Sequence, residues 1–102
     1  MPSKYHAVRT GKYASKKEAR VAGDLAMLEK AGKIFELREQ VAFVLLEGRD
    51  KVRPIKYIAD FTWFDADNGK WHIGDAKGMR TPVYDLKKKM MFLLLGLIVE
   101  EL

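Results

Sequence analysis

The stretch that decides the fold is YIADFTWFDADNGKWHIGDAKG, residues 57–78. Aromatic and β-branched residues, which favour strands, lie on both sides of Asn68-Gly69. An Asn-Gly pair between two such runs is the strongest short-range signal for a β-hairpin with a two-residue turn. The sequence therefore predicts a hairpin over residues 55–77, with acidic residues inside both of its strands.

The register of this hairpin decides which side chains meet. A two-residue turn places Asp60 opposite Lys77 and Thr62 opposite Asp75, whereas a four-residue turn over residues 66–69 places the two aspartates directly opposite each other. Because side chains alternate between the faces of a strand, both registers put these four polar residues on one face. The opposite face is predicted to pack into the core, and its residues are Ala59, Phe61, Trp63, His72, Gly74 and Ala76.

Helix and strand signals precede the hairpin. Ser15 and Glu18 form a capping-box pattern, and apolar residues at helical spacing follow until Gly32. Residues 34–37 and 41–46 then favour strand, and the second run is almost continuously apolar. Such a run is typical of a strand that is covered on both faces.

A second helix and a short strand follow the hairpin. Thr81 is a good N-cap residue, Pro82 suits the first helical position, and Gly96 suits the end of the helix. Residues 97–101 then favour a strand. The predicted order is αβββαβ, an α/β fold with a mixed sheet flanked by helices. One domain over residues 13–102 would follow a basic N-terminal arm, residues 1–12.

Composition excludes several classes of function. The chain has 102 residues, enough for one modest core, and it contains no cysteine. Disulfides, cysteine-bound zinc and a thiol nucleophile are therefore excluded, which fits a reducing cytoplasm. The longest apolar run, residues 90–99, is far shorter than the roughly 18 residues that a membrane-spanning helix needs, so we expect no membrane segment.

The net charge of +5 is concentrated in two basic blocks, residues 1–20 and 77–89. Such blocks either form a face that binds a polyanion or simply solvate surface helices. The candidate polyanion-binding residues are Lys12, Lys16, Lys17, Arg20, Arg80, Lys87, Lys88 and Lys89.

The two aspartates of the hairpin lie beside apolar side chains, where two carboxylates repel each other. A bound divalent cation removes this repulsion, and oxygen ligands without cysteine or histidine favour Mg²⁺ or Mn²⁺. The alternative is an internal salt bridge between Asp60 and Lys77.

Asp60, a spacer of fourteen residues and then Asp75-Ala76-Lys77 resemble the core motif of the PD-(D/E)xK nuclease superfamily. The order of elements is similar to its restriction-endonuclease-like core. Within the superfamily, the small chain resembles phage endonucleases related to archaeal Holliday junction resolvases. Two positions depart from the pattern, because Ala59 stands where the motif's name has proline and Asp75 stands where resolvases often have glutamate.

The resemblance implies a Mg²⁺-dependent endonuclease acting on branched or duplex DNA. It implies that Asp60, Asp75 and the backbone carbonyl of Ala76 bind the metal and that Lys77 acts on the attacking water or on the charge at phosphorus. Glu18 would complete the metal site, although the capping box gives it a competing structural role. Residues that would support the site or contact DNA nearby are Gln40, Thr62, Arg80 and Tyr84.

The second helix is apolar on all sides over residues 90–95, which is typical of a helix that is buried on more than one side. A homodimer would bury the excess apolar surface and would suit two symmetric cuts in a four-way junction. The alternative is a monomer in which the N-terminal segment covers this helix. Two further functions stay open: another superfamily nuclease acting on duplex, flap or single-stranded DNA, and a non-catalytic nucleic-acid-binding module.

Overall fold

The fold is described here from a computed structural model, which covers residues 12–76 and 80–102. Along the chain the elements are α1 (Lys16–Lys30), β1 (Ile34–Leu46), β2 (Ile55–Asp65), β3 (Lys70–Asp75), α2 (Pro82–Leu95) and β4 (Val99–Glu101). The predicted order αβββαβ and the α/β class are confirmed. The predicted N-terminal arm, apart from Lys12, lies outside the described residues, and so does Lys77.

The four strands form one mixed sheet in the order β1-β2-β3-β4. The first three strands are antiparallel, and β4 runs parallel to β3. A parallel neighbour needs a crossover connection, and α2 supplies it. Among the described residues, no helix is both long enough and apolar enough to cross a bilayer.

Local signals set the ends of both helices as the sequence predicts. The Ser15 hydroxyl accepts a hydrogen bond from the Glu18 amide at 3.0 Å, and the Thr81 hydroxyl accepts one from the Tyr84 amide at 3.1 Å. Helix α2 ends at Gly96, whose φ of 70° lies in the left-handed region that glycine adopts without steric cost.

The hairpin turn differs from the predicted two-residue turn. The last pair is Asp65 with Lys70, so the turn has four residues, and Thr62 lies opposite Ile73 rather than Asp75. The Asp65 carbonyl accepts from the Gly69 amide at 2.9 Å, and the Asn68 side chain accepts from the Lys70 amide at 3.0 Å. These local hydrogen bonds stabilise the longer turn, so the two-residue turn is wrong and the four-residue alternative over residues 66–69 is confirmed.

Two hydrophobic clusters hold the helices against the sheet. Phe61 belongs to the α1 cluster with Ala22 and Leu25, whereas Ala59 belongs to the α2 cluster with Met91. The predicted packing face is confirmed for five of its six residues, since His72 is half-buried and the others are buried: Ala59, Phe61, Trp63, Gly74 and Ala76. The sequence did not predict that these residues divide between two clusters.

Strand β1 is covered on one face only. Leu45 is buried in the α2 cluster, but its neighbours Val44 and Leu46 are exposed. The prediction of cover on both faces is wrong because β1 forms an edge of the sheet and two helices are too few to cover every strand twice.

Candidate active site

Asp60 and Asp75 converge at the boundary between the two hydrophobic clusters. Both are buried, with exposed fractions of 5% and 1%. The Asp75 Oδ1 accepts a hydrogen bond from the Asp60 amide at 3.0 Å, and the Asp60 Oδ2 accepts one from the Ala76 amide, also at 3.0 Å. Each carboxylate is thus held by a backbone N–H of the neighbouring strand, and such charge-assisted hydrogen bonds fix its orientation.

Gln40 links this pair to the first helix. Its side-chain amide donates to Asp60 Oδ1 at 3.4 Å and to Glu18 Oε2 at 3.3 Å. The backbone of Gln40 is left-handed, with φ of 55° in the middle of a strand. A non-glycine residue in this region costs on the order of 1–3 kcal/mol and persists only where its surroundings impose it. The register pairs on either side place Gln40 opposite Asp60, so the strained residue lies directly across from one acid of the pair.

Glu18 divides its contacts between a structural role and the site. Its amide donates to the Ser15 hydroxyl, as the capping box predicts. Its Oε1 accepts a long hydrogen bond of 3.4 Å from the Ala14 amide at the start of the helix, while Oε2 accepts from Gln40. One carboxylate oxygen therefore serves the helix terminus and the other faces the aspartate pair through Gln40.

The donor atoms of the pair suit a hard cation. Carboxylate and carbonyl oxygens are the ligands that Mg²⁺ prefers, and water commonly completes its coordination. In the part of the chain that the structure describes, no group of three or more histidine or acidic side chains is placed to hold a metal ion. Asp60, Asp75 and the Ala76 carbonyl would therefore suit Mg²⁺, and Gln40 links Glu18 to the same pair.

The first basic block lies at the start of α1. Lys12 pairs with Glu39 at 3.4 Å and lies 5.4 Å from the centre of the Tyr13 ring, which anchors the entry into the helix. Lys16 and Arg20 are exposed, and Lys17 is partly buried. These three flank Glu18 in sequence, so the cations lie on the same helix as the acid that faces the site.

The second basic block is partly neutralised by acids, a feature the sequence did not predict. Arg80 pairs with Asp85 at 2.7 Å and with Glu101 at 3.3 Å, and Lys88 pairs with Glu101 at 2.7 Å. The hydrogen bond from Lys88 holds the pKa of Glu101 below its usual value. Exposed ion pairs contribute about 0–1 kcal/mol, so a phosphate can replace these carboxylates at small cost.

Tyr84 is a core residue, and its predicted role as a DNA contact is wrong. It belongs to the α2 cluster, and its ring centre lies 6.4 Å from that of Tyr57. Burial raises the pKa of Tyr84 to about 12, and the negative charge of Asp75 contributes to this shift. The tyrosine therefore borders the aspartate pair from inside the core. Thr62 on β2, another residue proposed to support the site, is also buried.

The raised pKa of Tyr84 predicts a loss of stability in alkali. An unfolded tyrosine ionises near pH 10, whereas folded Tyr84 keeps its proton until about pH 12. Between these values the unfolded state binds fewer protons, so the free energy of unfolding falls as the pH rises. We expect Tyr84→Phe to remove this component, on the order of 2 kcal/mol at pH 12 relative to pH 9. Urea unfolding of both proteins at each pH measures it, and parallel pH profiles would contradict the assignment.

Gln40→Gly should distinguish the effect of the left-handed backbone on stability from the effect of the Gln40 side chain on activity. Glycine adopts the left-handed backbone freely, so we expect the free energy of unfolding to change by less than about 1 kcal/mol. The link between Glu18 and Asp60 is lost, so the nuclease activity that the motif resemblance implies should fall about tenfold, which corresponds to about 1.4 kcal/mol. Single-turnover DNA cleavage and urea unfolding measure the two effects. Asp50→Gly, at a left-handed residue in the turn before β2, is the matched control and should leave that activity unchanged.

Two side-chain contacts could not be predicted from the sequence, because each joins residues that are far apart in the chain. His72 stacks on Trp63 with ring centres 5.4 Å apart and pairs with Glu100 of β4. Glu39 receives hydrogen bonds from the Tyr13 hydroxyl, which ties β1 to the segment before α1. The position of His72 opposite an aromatic residue of the neighbouring strand could have indicated the stacking contact. Nothing in the sequence indicated that a carboxylate from β4 pairs with this histidine.

Neither a curated protein nor a solved structure matches this chain. One family model matches residues 2–94, which include both aspartates and all of α1 and β1. Its description is a protein of unknown function, DUF1064. Because the match extends over most of the 102 residues, this chain belongs to the DUF1064 family.

Proposed function

We propose that this protein is a Mg²⁺-dependent DNA endonuclease that cuts branched DNA, with a four-way junction as its preferred substrate. The observation that carries the proposal is the pair of buried aspartates on neighbouring strands, each held by a backbone amide of the other strand. Burial of two carboxylates in a small core is costly unless charge compensates them. Binding of a catalytic cation would explain why two acids occupy buried positions that apolar residues would otherwise fill.

Asp60, Asp75 and the Ala76 carbonyl would hold the metal. A bound Mg²⁺ supplies polarisation of the phosphate and a lower pKa for a water ligand. Gln40 holds Asp60 in one orientation and keeps the carboxylate of Glu18 directed to the same region. Lys77, which lies outside the described residues, has the role that the motif implies: it stabilises negative charge that develops on the phosphate oxygens.

The exposed cations would bind the DNA backbone. Lys16, Arg20 and Lys89 are exposed, and Arg80 and Lys88 can exchange their weak carboxylate partners for phosphates. Phosphate contacts give affinity without sequence preference and make binding steeply dependent on salt. This arrangement supports recognition of DNA shape rather than of base sequence.

A homodimer would place two sites on one junction. Helix α2 buries Tyr84 and Met91 but exposes six apolar side chains, which we call the α2 surface: Val83, Leu86, Phe92, Leu93, Leu94 and Leu95. Exposed patches of this kind mark protein–protein interfaces. Light scattering should give twice the 11.7 kDa mass of the chain, and the chain mass itself would contradict the dimer.

Two other functions compete with this proposal. The hydrogen bonds of both aspartates to backbone amides also suit a purely structural role, which favours a non-catalytic DNA-binding module. A nuclease acting on duplex, flap or single-stranded DNA shares the same site chemistry. The experiment is cleavage of labelled four-way junction, flap, duplex and single-stranded DNA in Mg²⁺ and Mn²⁺. Cleavage of the junction alone supports the proposal, broad cleavage supports the second nuclease, and binding without cleavage supports the module.

A further inference from the structure

A cavity of about 620 Å³ is lined by residues of the first three strands and by Leu97. Its walls are mainly apolar, and Val41, Phe43, Trp71 and Ile73 contribute to them. Arg38 and Thr62 add polar groups. Ligand sites in proteins have this composition, an apolar pocket of about 300–1,000 Å³ with a few polar groups that orient the ligand.

Two residues that line the cavity lie on the same strands as the aspartates, a short distance along the chain from them. Thr62 lies two residues after Asp60 on β2, and Ile73 lies two residues before Asp75 on β3. Two residues of strand span about 7 Å. A ligand in the cavity would therefore lie about one nucleotide spacing along the sheet from the carboxylates.

Trp71 contributes an exposed aromatic ring to the wall of the cavity. This side chain is 61% exposed, although tryptophan is the largest apolar residue. The ring of Phe64 meets it edge-on, with ring centres 5.3 Å apart and an angle of 64° between the planes. This contact holds the indole in place while leaving most of its surface open. A fixed, open aromatic ring is the platform on which proteins stack unpaired bases.

Resting on the proposed nuclease function, we propose that this cavity holds one unpaired nucleobase, stacked on Trp71, from the strand whose neighbouring phosphate reaches the aspartate pair. Arg38 supports this assignment because its guanidinium pairs with Glu36 at 3.1 Å on the exposed surface, where a DNA phosphate can replace the carboxylate. The Thr62 hydroxyl and the His72 ring lie at the same cavity and can hydrogen-bond a base edge.

This assignment narrows the substrate class. A continuous duplex keeps its bases stacked, so a base enters the cavity only after unpairing, which costs a few kcal/mol. The centre of a junction, the base of a flap and a gap all present bases that are already free to move. The cavity therefore favours DNA with unpaired nucleotides beside the cut and disfavours uninterrupted duplex.

Fluorescence anisotropy in EDTA tests the inference without cleavage. The two probes are a labelled duplex with a gap that leaves one 2-aminopurine unpaired and the same sequence as a continuous duplex. We expect Trp71→Ala to weaken binding of the gapped probe about 5- to 150-fold, since stacking of one base contributes about 1–3 kcal/mol. Its affinity for the continuous duplex should change less than about twofold. Trp71→Phe should retain most of the preference, and Met27→Ala, at an equally exposed residue of α1, should retain all of it.

The fluorescence of 2-aminopurine provides a second readout, because stacking on an aromatic side chain quenches it. Quenching by the wild type that disappears in Trp71→Ala supports the inference. Equal weakening of both probes by Trp71→Ala, or no weakening of either, overturns it even if Mg²⁺-dependent cleavage is intact. Wild-type protein that binds neither probe also overturns the inference, whereas the proposed function is overturned only by the absence of Mg²⁺-dependent cleavage of every branched substrate.

Discussion

Asp75→Asn should lower DNA cleavage by about 100- to 1,000-fold or more, the range expected when one group that stabilises a transition state is removed. Asparagine has the same shape, and its side-chain oxygen can still accept the hydrogen bond from the Asp60 amide. The fold should therefore survive while one of the two negative charges is lost. Single-turnover cleavage of a junction in Mg²⁺ measures the effect, and circular dichroism checks the fold.

The control for this variant lies in the same hairpin. Asp67→Asn makes the same chemical change at an exposed residue of the turn and should leave cleavage unchanged. Asp75→Asn should bind junction DNA at least as well as the wild type in EDTA, because only the chemistry is removed. If Asp75→Asn retained more than a tenth of the wild-type rate, the aspartate pair would not be the catalytic centre.

Met91→Ala should lower the free energy of unfolding by about 2–5 kcal/mol, the range for truncation of a large buried side chain. Met91 is 0% exposed in the α2 cluster, so alanine leaves a cavity between the helix and the sheet. For a domain of this size each kcal/mol corresponds to about 4–8 °C in Tm. Urea unfolding and calorimetry measure the loss.

Leu93→Ala is the matched control for this truncation on the same helix. Leu93 is 76% exposed, so its truncation in an isolated chain should change stability by less than about 0.5 kcal/mol. If the α2 surface forms the proposed dimer interface, the effect of Leu93→Ala on Tm should depend on protein concentration. Equal losses for both variants at every concentration would contradict the burial of Met91 and the exposure of Leu93.

The local part of the fold could be predicted from the sequence. Ser15, Thr81 and Gly96 mark helix ends because their caps use groups within about four residues. The hairpin and its two internal acids were visible for the same reason. The length of the turn was less certain, because competing local hydrogen bonds from Asp65 and Asn68 differ little in energy.

The long-range part required the tertiary structure. The burial of Tyr84 follows from the position of α2 on the sheet. The ion pair between Arg80 and Glu101 forms because β4 lies beside β3. The periodicity of β2 indicated which of its residues are buried, but not that Ala59 packs in the α2 cluster and Phe61 in the α1 cluster. The cluster that a strand residue joins depends on where each helix lies on the sheet, which residues far apart in the chain decide.

The sequence by itself determined the order of the elements, the helix ends and the presence of two acids in an apolar hairpin, because each depends on residues close together in the chain. Only the tertiary structure decided that the carboxylates of Asp60 and Asp75 are held by amides of each other's strand and that Gln40 joins them to Glu18. The physical reason is that these hydrogen bonds join residues 15 to 22 positions apart, whose distance depends on strand register and helix packing.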